Sequence, residues 1–343
     1  MKYQFTFLFI FSYFFSFSQI PIGYYDSAQG LQGEDLRTAL FNIIKDQTQL
    51  SYSDLPTYFE TTDKKLDGSV WDMYSDVPNG TPPYTFTFGT DKCGSYAKEG
   101  DCYNREHSFP ASWFNDALPM YSDLFHIYPT DGYVNSKHSN YPFGDVASAS
   151  WTSQNGSMLG SSADAGYTAT VFEPIDEYKG DIARSYLYMI TCYKDKVSGW
   201  SSDALEGDHL SNWELQTLKK WAAKDTVSQK EIDRNDAVYK IQNNRNPYID
   251  HPEWVSEIWG DTLSGIANTV NSTIKIWYTN NQINISGIKS NNAQMILFDY
   301  TGKEIQVLNH IHTTTAINLK NGFYLASIFQ DNKNYTLKFI VKE

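Results

Sequence analysis

The chain changes character near Asp261, and that break limits what it can fold into more than any other feature. Upstream, apolar residues recur at helical spacing. From about residue 268 onward there is no credible helix, only short strand-like runs separated by turn residues. Such a chain is expected to form two units of different class: an α+β body, mainly helical, over residues 20–266, and a small all-β sandwich over 267–343.

In the first part, residues 34–48 place Leu36, Leu40, Ile43 and Ile44 on one face of an amphipathic helix. Residues 180–193, GDIARSYLYMITCY, are apolar nearly all round and predict a buried helix. Residues 213–223 and 230–243 predict two more helices, whereas the aromatic alternation within 84–104 reads as strands and loops. In the second part, strand-like runs fall at 274–278, 282–286, 294–299, 323–329 and 335–341, with turn signals at 300–303 and 320–322. Charge divides the chain at the same place. Residues 20–267 hold 19 basic and 36 acidic side chains, a balance of −17, while residues 268–343 hold 7 and 4, a balance of +3.

The chain as a whole carries −13. That excludes a protein that coats nucleic acid through bulk charge, because such binding needs Lys and Arg to displace counterions. An enzyme that touches phosphate at one local site stays open. Residues 1–19, MKYQFTFLFIFSYFFSFSQ, combine Lys2, an apolar run from Phe5 to Phe17 and small residues at 16 and 18, and so resemble a secretory signal peptide. The run is shorter than the roughly 20 residues a bilayer needs, so no membrane span is expected. Export makes a disulfide permissible. Cys93 and Cys102, nine residues apart, are the expected pair, with Cys192 left as a buried thiol.

The chemistry concentrates in two segments. One reads CYNREHSFPASWF from Cys102; the other reads SDLFHIYP from Ser122 and runs on to NSKHSNYPFG at 135–144. An adjacent Glu–His pair on an extended segment points its side chains to opposite faces. Glu106 can then hold a hard cation while His107 faces a water or substrate. His126 can complete a two-ligand site, leaving the remaining positions to water and phosphate oxygens. An imidazole with an ordinary pKa near 6.5 serves as a general base at neutral pH. The alternative is that the dipeptide is a surface accident and the histidines are structural. No His follows at the spacing of the helical HExxH zinc pattern.

Together the two segments resemble the bacterial endonuclease I family, secreted or periplasmic nucleases of the ββα-metal (His-Me finger) superfamily. The resemblance extends through YYDSAQGLQGEDLRTAL from Tyr24, VWDMYSD at 70–76, KGDIARSYLYMITCY at 179–193 and QNNRNPYIDHPEWVSEIW at 242–259, covering nearly all of residues 22–260. It implies an embedded ββα-metal finger with His107 as general base and Glu106 as a metal ligand. His126 falls where many relatives carry Asn as second ligand. It further implies Mg²⁺ as cofactor, with Mn²⁺ or Ca²⁺ as alternatives, and hydrolysis of DNA and RNA to 5′-phosphate and 3′-hydroxyl ends. Asn135 and Asn140 match a V-N-x-x-x-S-N pattern that braces the finger helix. Arg184 is the catalytic candidate for holding a phosphate, with Lys137 behind it, and an ion pair with Asp181 or Glu173 is its structural alternative. His138 stands where relatives often carry Arg, which implies a weaker, pH-dependent phosphate contact. The basic stretch 219–245 reads first as a solvated helix surface and second as a nucleic-acid contact.

The segments QMILFDYTGKEIQVL, INLKNGFYLASIF and YTLKFIVKE, within about residues 270–343, resemble the C-terminal sorting domain of the Bacteroidetes type IX secretion system. That resemblance implies export through the periplasm to the medium or cell surface, with the secretion machinery as a partner. The expected product is a monomeric secreted endonuclease. Two alternatives stay open: a non-catalytic surface adhesin or glycan-binding protein, suggested by the Trp and Tyr content, and a phosphodiesterase acting on a small or lipid phosphate.

Overall fold

The computed structural model describes residues 20–260 and, within 274–341, all but 280, 289–292, 300–302, 310, 312 and 331–332. The expected leader at 1–19 and the expected boundary at 266/267 lie outside the described residues. The chain divides into two compact units, one ending at Trp259 and one starting at Gly260. Together they make the α+β class.

The first unit contains helices α1 (Gly33–Ile44), α2 (Leu55–Thr62), α3 (Gly132–His138), α4 (Lys179–Cys192), α5 (Asn212–Lys224), α6 (Gln229–Gln242), α7 (Pro247–Asp250) and α8 (Trp254–Trp259). Strands β1 (Tyr103–His107) and β2 (Ile127–Asp131) form one antiparallel pair. Strands β3 (Val146–Thr152), β4 (Met158–Ser162) and β5 (Thr170–Glu173) form a three-stranded sheet, and β6 (Leu205–Glu206) and β7 (His209–Leu210) a short ladder. Every residue of α4 is buried, because α1, α5 and α7 pack around it. Its Ile182, Leu187, Met189 and Ile190 each contribute on the order of 1.5–3 kcal/mol of apolar burial.

Residues 84–102 form no strand; β1 starts only at Tyr103. The aromatic alternation there serves packing: Phe86 is buried with Val70 and Tyr103, and Tyr84 and Phe88 pack against them. Asp91 Oδ2 accepts the Thr87 amide and closes a turn where a ladder would otherwise run. The loop is stapled by the Cys93–Cys102 disulfide, with the two Cα atoms 5.7 Å apart. Cys192 is a buried free thiol in α4.

The second unit holds β8 (Lys275–Thr279), β9 (Gln282–Ser286), β10 (Gln294–Asp299), β11 (Glu304–Asn309), β12 (Thr314–Ala316), β13 (Gly322–Gln330) and β14 (Lys333–Val341). They form two antiparallel sheets, ordered β11-β10-β13-β14 and β12-β9-β8. Ile283, Ile285, Met295 and Leu297 alternate inward at period two and share one core with Ala326 and Ile328. Among the described residues no helix is long and apolar enough to cross a membrane.

Candidate active site

β1 pairs with β2 so that Glu106 lies opposite Tyr128 and His107 opposite Ile127. α3 follows β2 without a loop. Asp131 makes this possible: its Oδ1 accepts the Val134 amide at 2.8 Å as helix cap, and its Oδ2 accepts the Gly100 amide at 2.7 Å. Glycine at 132 leaves room for the Tyr96 ring, from which a Cβ would sit 2.6 Å away unless the ring moved. The segment entering β2 is held by the buried Asp123. Its carboxylate accepts Tyr188 Oη at 2.7 Å, Tyr193 Oη at 2.6 Å and Gln242 Nε2 at 2.9 Å. The signal for that role in the sequence is the Ser-Asp-Leu-Phe-His string, whose aspartate precedes the histidine by three residues.

The two members of the Glu–His pair face different surroundings. Glu106 is buried; its Oε1 accepts Tyr74 Oη at 2.8 Å and lies 2.5 Å from His138 Nδ1. Both contacts use Oε1. The His138 contact is close but not aligned as a hydrogen bond. His107 is partly buried beside a pair of tyrosine rings, Tyr121 (ring centroids 5.0 Å) and Tyr52 (5.7 Å), which pack on each other at 4.2 Å, and the His126 ring is 5.5 Å away. Its Nε2 lies 3.3 Å from the Tyr121 carbonyl. Since a carbonyl only accepts, the ring proton sits on Nε2 and Nδ1 keeps its lone pair. Burial, helped by the neighbouring His126, lowers the His107 pKa to about 4, so the ring is neutral at pH 7.

His126 is not placed as a partner of Glu106. It lies fully buried on the His107 side, its Nε2 2.7 Å from the Met120 carbonyl. Burial lowers its pKa to about 4, against the Met120 carbonyl, which favours the protonated ring. Its Nδ1 is buried and makes no hydrogen bond, although the nearby Phe109 backbone also favours protonation. Among the described residues no group of three or more His, Cys, Asp and Glu is arranged to hold a metal.

Asn135 lies one helical turn before His138 on the same face of α3. Its Nδ2 donates to Asn104 Oδ1 at 2.7 Å and to the Arg105 carbonyl at 3.2 Å, next to Glu106. His138 itself is fully buried, its Nε2 3.0 Å from the Tyr141 carbonyl and its ring stacked on Phe143. The expected phosphate contact gives way to a brace, because α3 turns this position inward onto β1. Lys137 points elsewhere, its ammonium over the rings of Tyr133 and Trp151.

Arg184 has no side open to a phosphate. It is buried in α4, with Nε 2.5 Å and Nη2 2.9 Å from the two carboxylate oxygens of Glu231. The ion-pair alternative therefore describes it, with a partner other than Asp181 or Glu173. Glu231 also closes the capping box of α6 with Ser228, so one carboxylate ties two helices together. Three cations of the 219–245 stretch are likewise used inside the fold, where Lys230 meets Asp181, Arg234 meets Asp63 and Arg245 meets Asp250, whereas Lys220 and Lys224 pair with Asp145 and Asp176 at the surface.

A family model described as Endonuclease I matches residues 32–253, a span that contains β1, β2, α3 and every side chain of the site. The chain belongs to the endonuclease I family. Among its relatives is an extracellular ribonuclease of Bacillus amyloliquefaciens, 33% identical over 246 residues, or 69% of this chain and 78% of that protein. An extracellular ribonuclease of Bacillus subtilis (strain 168) is 31% identical over 244 residues, with the same coverage. Endonuclease-1 of Buchnera aphidicola subsp. Baizongia pistaciae (strain Bp) is 28% identical over 128 residues, 37% of this chain and 46% of that protein. The Endonuclease I match stops before the all-β unit, which begins at Gly260.

Proposed function

We propose that this member of the endonuclease I family is an exported, metal-dependent, non-specific endonuclease that cuts phosphodiester bonds in RNA and DNA and leaves 5′-phosphate ends. One observation carries the reading. Glu106 and His107 end β1 back to back: a buried carboxylate held by Tyr74 and His138, and an imidazole kept neutral with a free Nδ1. The extracellular ribonuclease names of two relatives support RNA as a substrate.

The donor set decides which residues fit a metal. Glu106 fits, since both protein contacts use Oε1 and Oε2 remains as a hard oxygen donor. His126 is fully buried beside the His107 ring, with no contact to Glu106, and gives way to a donor that lies next to Glu106. The amide oxygen of Asn135 is the second hard donor, because only its nitrogen is used against Asn104 and Arg105. One carboxylate and one amide oxygen suit Mg²⁺, which keeps several waters and takes substrate oxygens. When bound, the metal supplies Lewis-acid polarisation of the phosphate and charge stabilisation at the leaving oxygen. His107 does the proton work: Nδ1 accepts a proton from the attacking water while Nε2–H on the Tyr121 carbonyl fixes the ring. The paired rings of Tyr52 and Tyr121 pack beside His107 and limit its movement on that side.

The all-β unit acts as a sorting module for the type IX secretion machinery, and the protein works as a monomer. The test is incubation of the full chain with plasmid, single-stranded DNA and RNA, with Mg²⁺, Mn²⁺ or Ca²⁺ and with EDTA. Metal-dependent cleavage that EDTA abolishes is expected. An intact set of substrates under all metals would leave an adhesin or a small-phosphate enzyme as the better reading.

A further inference from the structure

Of the five arginines in the chain, four are committed to carboxylates inside the fold. Arg37 meets Glu34 and Asp208, Arg184 meets Glu231, Arg234 meets Asp63, and Arg245 meets Asp236 and Asp250. All four are buried. Arg105 differs. Its Nη1 donates to the Tyr52 carbonyl at 2.9 Å, and its guanidinium lies 3.9 Å over the Tyr52 ring. Among the described residues no carboxylate pairs with it. In the part of the chain where acids outnumber bases by 17, a guanidinium kept clear of carboxylates is prepared for an anion from outside.

A second cation stands beside it. Lys92 is exposed, and its backbone pairs with Tyr103 at the start of β1. The Tyr103 amide donates to the Asp91 carbonyl at 2.9 Å, and the Cys93 amide to the Tyr103 carbonyl at 3.2 Å. The Cys93–Cys102 disulfide closes the same loop. Lys92 is thus set by main-chain pairing and a covalent staple, not by a free loop. Between this loop, β1 and the start of α2 lies a cavity of about 390 Å³, lined by Ser53, Phe59, Lys92, Tyr103, Asn104 and Arg105 among others. Its size falls in the range of small-molecule sites. Two cations beside hydroxyl and amide groups suit a phosphate.

The position of the cavity names the source of that phosphate. Arg105 and His107 are two residues apart on β1, so they share a face about 6.6 Å apart. Both also rest on the Tyr52 ring, Arg105 by cation–π contact and His107 by stacking. A strand whose phosphate is attacked beside His107 places its neighbouring nucleotide at this cavity. We infer that the cavity is a phosphate subsite for the substrate strand, in which Arg105 and Lys92 hold the phosphate flanking the scissile one. The inference rests on the nuclease reading above. It assigns substrate grip to a site outside the basic 219–245 stretch, and it explains how a strongly acidic unit can hold a polyanion.

The test is steady-state cleavage of one single-stranded oligonucleotide by the full chain, as wild type, Lys92→Ala, Arg105→Ala and the double variant. Lys45→Ala, at an exposed lysine in another part of the unit, controls for net charge. Each subsite variant is expected to raise KM about tenfold and to lower the slope of log KM against log salt by about 0.7 per cation removed. For Lys92→Ala, kcat stays within about threefold, because the contact is equal in ground and transition states. Lys45→Ala moves neither KM nor slope. Thermal melting checks the fold, and the exposed Lys92 keeps the test valid if Arg105→Ala fails to fold. Active wild type whose Lys92→Ala variant keeps both KM and slope overturns the subsite and leaves the nuclease reading standing. A wild type that cleaves nothing overturns both.

Discussion

Nδ1 of His138 lies 2.5 Å from Oε1 of Glu106, and both side chains are buried. The contact places α3 behind the carboxylate proposed to hold the metal, with Tyr74 on the same oxygen. Residues that orient a metal ligand typically affect affinity or activity by 10–100-fold. His138→Ala is therefore expected to lower activity by about that factor and to shift half-activation to higher Mg²⁺, with partial rescue at saturating metal. A metal titration coincident with that of wild type would leave His138 as core filling only.

Arg184 and Glu231 are predicted to matter for stability and not for turnover. Removing one member of a buried ion pair strands the other, at a cost of about 3–5 kcal/mol. Arg184→Ala should lose that much in urea unfolding, while activity per folded molecule stays unchanged. A large fall in kcat at full folding would return Arg184 to the phosphate.

His126 gives the fold an acid limit. Burial holds its pKa at about 4, below the ordinary 6.5 that it regains on unfolding. The unfolded chain then binds more protons between those values, so stability is complete above pH 6.5 and is lost as pH falls toward 4. The full shift corresponds to on the order of 3 kcal/mol. His126→Gln should roughly halve the dependence of unfolding free energy on pH across that window, because His107 is lowered to about 4 by burial as well and keeps its own share. An unchanged pH profile would show that His126 does not set it.

Much of this was legible in the chain, and what was not has physical reasons. Uniform apolarity over 180–193 required burial, and short strand-like runs separated by turn residues in the last part required paired strands; both appear as α4 and the two C-terminal sheets. The Glu106–His107 pair could be read because adjacent strand residues must diverge. The surroundings of the histidines could not. Nothing in a one-dimensional spacing says that His126 turns its Nε2 to the Met120 carbonyl, or that His138 folds back onto Glu106. Arg184 misled for a related reason: its partner Glu231 is 47 residues away on another helix. The alternation at 84–88 mimicked a strand because its aromatic side chains serve the packing of Val70 and Tyr103.

The central claim is that His107 takes the proton from the attacking water, and His107→Ala tests it most directly. Single-turnover cleavage of the substrate that wild type cuts best, with melting temperature and Mg²⁺ titration measured alongside, separates chemistry from folding and metal. A loss of about 10²–10⁴-fold is expected, with folding and metal response intact. Cleavage by the folded variant at a rate near that of wild type would contradict the account.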